Sequence, residues 1–401
     1  MPPSLGSSSI VGCILAGGQS RRMGGGDKAL LDLAGRPILA HVMERLIPQV
    51  SRVALNTNAE AARFEGFGLP VVADTIGGHL GPLAGILAGL TWARDHAPGT
   101  THVLTVSADA PFIPRDLAAR LSAEIAGQPG KIAIAASSGQ PQPVMGLWPV
   151  SISDDLEVSL RAGARSVLAW CSGRQAVQVD FPAESIGGRA IDPFFNANSP
   201  IELAQARIFL QRMAFHSPVI GIAGWKNSGK TTLVTRLIQE LSLRGRQIST
   251  IKFSHHQVTI GTEVIESERV RDTSRHAAAG ARQVAFAGSS RWGIVEGGEA
   301  SETWHLCSAD RDTVLAAIVA AMAPADLIVL EGYKGAPIPK IEVRRLAQAD
   351  KRSLAQYDSY VFAIASDYPV EANGPWLVGI DCIGAIAGQL ERLAGLCGSK
   401  P

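Results

Sequence analysis

Neither sign of charge predominates in this 401-residue chain: 37 Lys and Arg stand against 36 Asp and Glu, a formal net charge of +1. Acids and bases are mixed along its length, so it lacks the basic stripe that nucleic-acid binding usually needs, and a small anionic ligand fits better. Cysteine is sparse. Cys13, Cys171, Cys307, Cys382 and Cys397 are scattered without a CxxC pair, which indicates neither a zinc site nor a disulfide framework and fits a reducing cytoplasm. Long apolar runs are missing as well: the longest, "VLAAIVAAMAPADLIVL", is broken by Pro324 and Asp326, against a membrane span. The opening "MPPSLGSSSIVG" has no basic n-region and no long apolar core, so residues 1–9 are expected to be a short disordered leader rather than a signal peptide.

What is present is a regular alternation. At roughly 150 residues per domain the length predicts two or three domains. Strands are expected at "IVGCILAG", "RVALNTN", "LPVVAD", "THVLTVSAD" and "KIAIAAS", with amphipathic stretches such as "ILAHVMERLIPQV" and "LAGILAGLTWARD" between several of them. Strands alternating with helices predict a mostly parallel, doubly wound α/β sheet whose ligands collect at the carboxyl ends of its strands. The second half restarts the pattern with "PVIGIAG", a helix over "KTTLVTRLIQELSLRG" ended by Gly245, and strands "QISTIKFS", "RQVAFAG", "DLIVLEG" and "YVFAIAS". Between the halves, "SPIELAQARIFLQRMAFHSP" predicts a helix capped by Ser199, with Pro200 in its first turn and a break at Ser217–Pro218. The boundary is therefore drawn between 10–214 and 215–401.

Two glycine-rich loops of different spacing carry the chemistry. In "LAGGQSRRMGGGDK", from Leu15 to Lys28, a hydrophobic strand runs into a glycine turn, and Arg21, Arg22 and Lys28 surround the same hollow. Free amides with three cations make a triphosphate clamp, because charge-assisted bonds to phosphate are about twice as strong as neutral ones; the alternative is a solvated basic turn. Asp109 ends "THVLTVSAD". At a strand's carboxyl edge beside such a loop it is a Mg²⁺ ligand candidate, although an Asp in that place is also a common turn residue. Asn56 and Asp74 end two further strands, and Asp74 offers an acceptor to the ring N–H and exocyclic amine of guanine; taken alone, both are ordinary turn formers. "GPLAGI" would start a helix whose first amides face the same edge. In the second loop, "GWKNSGKTT", Gly224, Gly229, Lys230, Thr231 and Thr232 fit GxxxxGK[ST] between a strand and a helix. Lys230 would reach the β and γ phosphates and Thr231 a Mg²⁺, with Glu331 at the end of "DLIVLEG" as the acidic partner.

"LAGGQSRRMGGGDKALL", followed in order by "VVADTIGGHLGPLAGI", "SADAPFIP" and "FFNANSPIEL", resembles the molybdenum cofactor guanylyltransferases (MobA-type) over roughly residues 8–212. The resemblance implies a Rossmann-like nucleotidyltransferase that joins GMP from Mg·GTP to the terminal phosphate of molybdopterin and releases pyrophosphate. It implies a GTP site at Leu15, Ala16, Gly17, Lys28, Asn56, Asp74 and Asp109, with Lys28, Asp109 and Arg22 catalytic and Asp109 the magnesium ligand. Asn196 and Asn198 match a motif near the acceptor, or else cap the following helix.

The second half, through "GIAGWKNSGKTTL", "IKFSHH", "RDTSRHAAAGA", "DLIVLEGYK" and "AIASD", resembles the molybdopterin-guanine dinucleotide biosynthesis adaptor proteins (MobB-type) over roughly 218–390. That implies a P-loop NTPase-like domain that binds GTP with at most slow hydrolysis, and partners among the cofactor-insertion and chaperone proteins of molybdoenzymes. One departure stands out: between His256 and Asp272 the family's Asp-rich turn and GKD are replaced by "QVTIGTEVIESERVRD", with Arg271 in place of the Lys. His255 and His256 are adjacent and would point apart on a strand, which favours a structural or phosphate-proximal role over metal binding. A fusion of transferase and GTP-binding adaptor is the leading expectation. The alternatives are a related nucleotidyltransferase using CTP or a sugar phosphate, a nucleotide-dependent scaffold, and a P-loop half with kinase activity of its own.

Overall fold

In the computed structural model, residues 9–17, 27–78, 80–186, 189–254, 269–288, 291–296, 299–300, 305–306 and 310–396 are described. Arg21, Arg22, His255, His256 and most of the stretch between His256 and Asp272 lie outside them.

Strand β1 (Ile10–Leu15) is buried at every position, as a parallel strand covered on both faces must be. The hairpin β2 (Asp32–Leu33) and β3 (Arg36–Pro37) leads into α1 (Ile38–Leu46). Strands β4 (Arg52–Asn56) and β5 (Val71–Val72) extend the sheet on one side of β1, and α2 (Pro82–His96) crosses to β6 (His102–Ser107) on the other. Beyond α3 (Leu117–Glu124) come β7 (Ile132–Ser137), β8 (Gln140–Pro149), α4 (Ser153–Arg161), α5 (Val167–Ser172) and β9 (Ala176–Phe181). A small ribbon, β10 (Glu184–Ile186) with β11 (Arg189–Ile191), precedes α6 (Pro200–Ala214). The sheet order is β5-β4-β1-β6-β8-β7-β9. Leu39 and Val42 of α1 and Leu121 of α3 cover one face; Leu83 of α2, Leu156 of α4 and Trp170 of α5 cover the other.

The second half runs β12 (Val219–Ala223), α7 (Lys230–Leu243), β13 (Ile248–Phe253), α8 (Arg269–Ala278), β14 (Gln283–Ala287), β15 (Arg291–Glu296), β16 (Glu299–Ala300) and β17 (His305–Leu306). It continues with α9 (Arg311–Ala321), β18 (Leu327–Glu331), β19 (Lys340–Arg344), β20 (Val361–Ser366), β21 (Trp376–Gly379) and α10 (Ile383–Ala394). Its strands lie in the order β16-β15-β14-β13-β18-β12-β19-β20-β21, with β17 against β15. Leu237 of α7 and Leu390 of α10 pack on one face and Ile318 of α9 on the other. Both halves are thus three-layer α/β structures, each sheet parallel in its centre with antiparallel strands added. The long apolar run divides into α9 and β18 across Pro324–Asp326, and among the described residues no helix is long and apolar enough to cross a membrane.

Several strands depart from the sequence expectation. The strand at "LPVVAD" shrinks to Val71–Val72. Strand β8 was hidden by Pro141, Pro143 and Pro149; these lie outside Gly146–Leu147, the part paired on both sides, so no central ladder bond is lost. Strands β9, β15, β19 and β21 are further additions. The most consequential is β19, which lies directly beside β12.

Helix α6 belongs to both cores. Ser199 caps it by accepting from Glu202 N at 3.3 Å, and Pro200 takes the first turn as expected. Leu203, Ala206 and Phe209 pack into the first half, whereas Ala204 and Ile208 pack with β20 and α10 of the second. The helix is apolar on opposite sides, which is what a shared wall between two cores requires.

Candidate functional site

The first site follows from strand register. Leu15 pairs with Asn56 on one side and Ser107 on the other, so β1, β4 and β6 end at one edge. There Ala16 N donates to Asn56 O at 2.8 Å, and Ala108 N to Leu15 O at 3.0 Å. The Lys28 amine, at the start of the 3-10 turn Lys28–Leu30, donates to Asn198 Oδ1 at 2.7 Å and lies 4.0 Å from Asp109 Oδ2. Ala197 N donates to Asp109 O at 3.0 Å and fixes the 196–198 segment to the same edge. Leu15, Ala16, Asn56, Asp109 and Asn198 are therefore drawn together, and Gly17 continues exposed from this edge.

Asn56 is 3% exposed and donates to Val72 O at 3.1 Å and to Asp74 Oδ1 at 3.0 Å. Asn58 completes the pair: its amide donates to Asp74 Oδ2 at 2.7 Å, and its oxygen accepts from Asp74 N at 2.9 Å. These bonds leave each carboxylate oxygen a further lone pair. Helix α2 reaches this edge because Gly85 lacks a side chain: a Cβ there would sit 2.4 Å from Asn56 Oδ1. The cap of α6 is Ser199, not Asn196 or Asn198. Asn198 instead accepts from Lys28, while Asn196 Oδ1 is buried without a hydrogen-bond partner among the described residues. Sequence reasoning missed Asn58 and Ser107, whose hydroxyl donates to Asp109 Oδ1 at 2.5 Å. Each lies two residues from a residue already singled out, in "NTN" and "SAD", and that adjacency was the available signal.

The second site is built on β12 and β18, with Ile222 paired to Glu331. Gly224 has φ +155, and a Cβ there would meet Ser228 Oγ and Val343 O at 2.6 Å, so the loop closes only around glycine. Lys230 directs its amine inward, donating to Trp225 O at 2.7 Å; burial lowers its pKa and Glu331 pushes it back up. Thr231 Oγ1 donates to Glu331 Oε1 at 2.6 Å, and Thr232 is exposed. Glu331, 3% exposed, also lies 3.3 Å from Lys252 Nζ and 3.1 Å from His276 Nε2. Burial alone would raise its pKa, but His276, Lys252 and Thr231 together hold it down at about 2. Lys252 and His276 were not singled out from sequence, because only sheet register and the packing of α8 bring them to Glu331. Arg345, ion-paired with Asp367 at 3.2 Å, lies against Gly229 and was also missed.

Comparison with known proteins divides the chain in the same way. A family model described as a MobA-like NTP transferase domain matches residues 12–178, and one described as molybdopterin guanine dinucleotide synthesis protein B matches residues 219–367. A molybdenum cofactor guanylyltransferase of Bradyrhizobium sp. (strain ORS 278) is 45% identical over 201 residues, which is 50% of this chain and 92% of that protein. One from Rhodopseudomonas palustris (strain BisB5) is 46% identical over 194 residues, 48% of this chain and 90% of its own. Among solved structures, a molybdopterin-guanine dinucleotide biosynthesis protein A from Archaeoglobus fulgidus aligns over 51% of this chain and 100% of its own, at 22% identity and a TM-score of 0.40.

Proposed function

Since this chain belongs to the molybdenum cofactor guanylyltransferase family through its first half, we propose that it transfers GMP from GTP to molybdenum-bearing molybdopterin, forming the guanine dinucleotide cofactor and pyrophosphate, and that residues 215–401 are a fused GTP-binding adaptor. The observation that carries the reading is the Lys28 amine held between Asn198 at 2.7 Å and Asp109 at 4.0 Å, at the edge where β1, β4 and β6 end.

The transfer needs no protein nucleophile, because the acceptor's terminal phosphate is itself an anion. The chain's work is alignment and charge neutralisation around the α-phosphorus, where positioning and fixed electrostatics do most of the catalysis. Lys28, with Arg22, stabilises the departing pyrophosphate. Asp74, braced by Asn56 and Asn58, accepts from the guanine N–H groups. Asn196 and Asn198 are the candidates for the acceptor side, with Asn198 already bonded to Lys28.

Asp109 fits a Mg²⁺ ligand: one oxygen accepts from Ser107, and the other lies 4.0 Å from Lys28. Among the described residues no group of three or more His, Cys, Asp or Glu forms a cage, which suits an ion that takes much of its shell from phosphate oxygens and water. When bound, the ion supplies charge to the reacting phosphate. In the second half, Thr231 and Glu331, 2.6 Å apart, fit the hydroxyl and carboxylate of a second Mg²⁺ site, with Gly224, Gly229, Lys230 and Thr232 around the phosphates. We place the protein in the cytoplasm, handing its product to proteins that insert the cofactor into molybdoenzymes.

The deciding experiment is a donor swap on purified full-length protein with molybdopterin as acceptor, following pyrophosphate release with GTP or CTP. Transfer with GTP at least about tenfold faster than with CTP is expected. A CTP preference makes it a cytidylyl enzyme; release with neither donor from folded protein leaves only a scaffold.

A further inference from the structure

Tyr360 stands one residue before β20 in the second half, yet its hydroxyl donates to Asp32 Oδ1 in the first. The Arg207 guanidinium lies 3.7 Å from the centroid of the Tyr360 ring. It donates to Asp32 O at 2.5 Å, to Ser359 O at 2.7 Å and to Ser359 Oγ at 3.1 Å. Arg207 is only 2% exposed, and burial lowers its pKa to about 10, so it is still a cation at neutral pH. A buried cation holds its partners firmly, because any acceptor that moves away leaves charge unpaired in a poorly solvated place.

What these residues hold is the mount of Lys28. Asp32 begins the β2–β3 hairpin, whose two-residue turn, Ala34 (φ 55) and Gly35 (φ 82), has the left-handed geometry of a tight hairpin. Leu31 N donates to Lys28 O at 3.0 Å, and Ile38 N to Leu31 O at 3.0 Å, so the lysine turn and the hairpin are one hydrogen-bonded unit. Lys28 is tied to α6 at two points. Its side chain bonds Asn198, just ahead of the helix, and its backbone connects through Asp32 to Arg207, two turns along the same helix. Tyr360 and Ser359 clamp the second tie from the other half of the chain.

We infer that Arg207 and Tyr360 are positioning residues for the transfer reaction, and that the second half completes the mount of Lys28. The inference rests on the transferase reading. It also separates this role from nucleotide binding at the P-loop: Glu342 pairs with Ala223 and with Ile364, so the Ser366 end of β20 borders that loop. Tyr360 lies at the opposite end of the six-residue strand, about 20 Å away at roughly 3.3 Å per residue.

The test compares full-length wild type with Tyr360→Phe, Asp32→Leu and Asp32→Asn in the GMP-transfer assay, alongside thermal melting. Tyr360→Phe and Asp32→Leu should each lower kcat about tenfold, with KM for GTP changed less than about threefold and melting unchanged, because a displaced lysine acts mainly in the transition state. The double variant should fall little further than either single one. Asp32→Asn keeps an acceptor oxygen for Tyr360 and should stay close to wild type. Wild-type kcat in Tyr360→Phe overturns the inference, as does a loss of kcat that only follows a lowered melting temperature. No transfer by the wild type would instead sink the transferase reading, and this inference with it.

Discussion

Asp109 and Glu331 are both carboxylates at the carboxyl end of a buried strand, but their surroundings assign them different work. Asp109 has a single hydroxyl partner and a lysine at 4.0 Å, so its charge remains available to a cation. Replacing Asp109 with Asn keeps the shape and removes that charge, and turnover should fall by about two to four orders of magnitude, read as pyrophosphate release; near-normal turnover removes Asp109 from the mechanism. Glu331 is locked among Thr231, Lys252 and His276, which hold its pKa at about 2, below its ordinary 4.5. A depressed carboxylate stabilises the fold above its unfolded pKa and loses that contribution as pH falls toward the folded one. Resistance to denaturant should therefore fall from about pH 4.5 toward pH 2 in the wild type, and Glu331→Gln should flatten this part of the profile. Both carboxylates were legible in sequence from their place at the end of an apolar run. Their differing partners were not, because Lys252 and His276 are 79 and 55 residues away in the chain.

At the scale of elements, α2 and β19 show what periodicity reads and what it misses. The pattern of α2 was visible, and Gly85 shows why its sequence is glycine-bearing: the helix packs onto Asn56. Gly→Ala inside a helix gains about 1 kcal/mol in propensity. Here the new Cβ would lie 2.4 Å from Asn56 Oδ1, an atom of a buried side chain bonded to Val72 and Asp74. Overpacking of this kind costs about 1–3 kcal/mol, so Gly85→Ala should be destabilising on balance and should weaken GTP binding at the first site. Chemical denaturation with GTP titration measures both. Strand β19 escaped because Lys340, Glu342 and Arg344 put a charge at every second position, unlike the apolar runs of the other strands, yet all three are buried. Lys340 is satisfied by Lys334 O, Ala336 O and Asp358, and Glu342 by Arg344, Ser353 and Ala355 N. Charges can occupy a central strand when distant residues pair them, and a local sequence window cannot see those partners.

Across the whole molecule, two halves whose candidate sites differ in design share α6 but are built on separate sheets. Under the proposed function the P-loop, with Lys230 turned inward, would enclose phosphates in backbone and suits holding a nucleotide, whereas the edge at Lys28 and Asp109 would take the acceptor beside the α-phosphate. Lys230→Ala should weaken nucleotide binding by the second half about tenfold or more while leaving GMP transfer within about twofold, measured by equilibrium binding and pyrophosphate release. Complete loss of transfer would mean that the P-loop itself governs the first site. Under the proposed function, joining the halves would also keep a labile product near the adaptor half, at an effective concentration of up to about the millimolar range.

The sequence by itself determined the two glycine-rich motifs, the alternating α/β grammar of both halves and the capped helix between them, because each is written in local spacing: glycines at fixed offsets, apolar runs of strand length, Ser199 before Pro200. Only the tertiary structure decided that α6 serves two cores, that a charged strand lies beside the P-loop strand, and that Tyr360 reaches Asp32 across 328 positions. Contacts of that separation depend on where each face is buried and which distant group satisfies each charge, and those are properties of the packed chain.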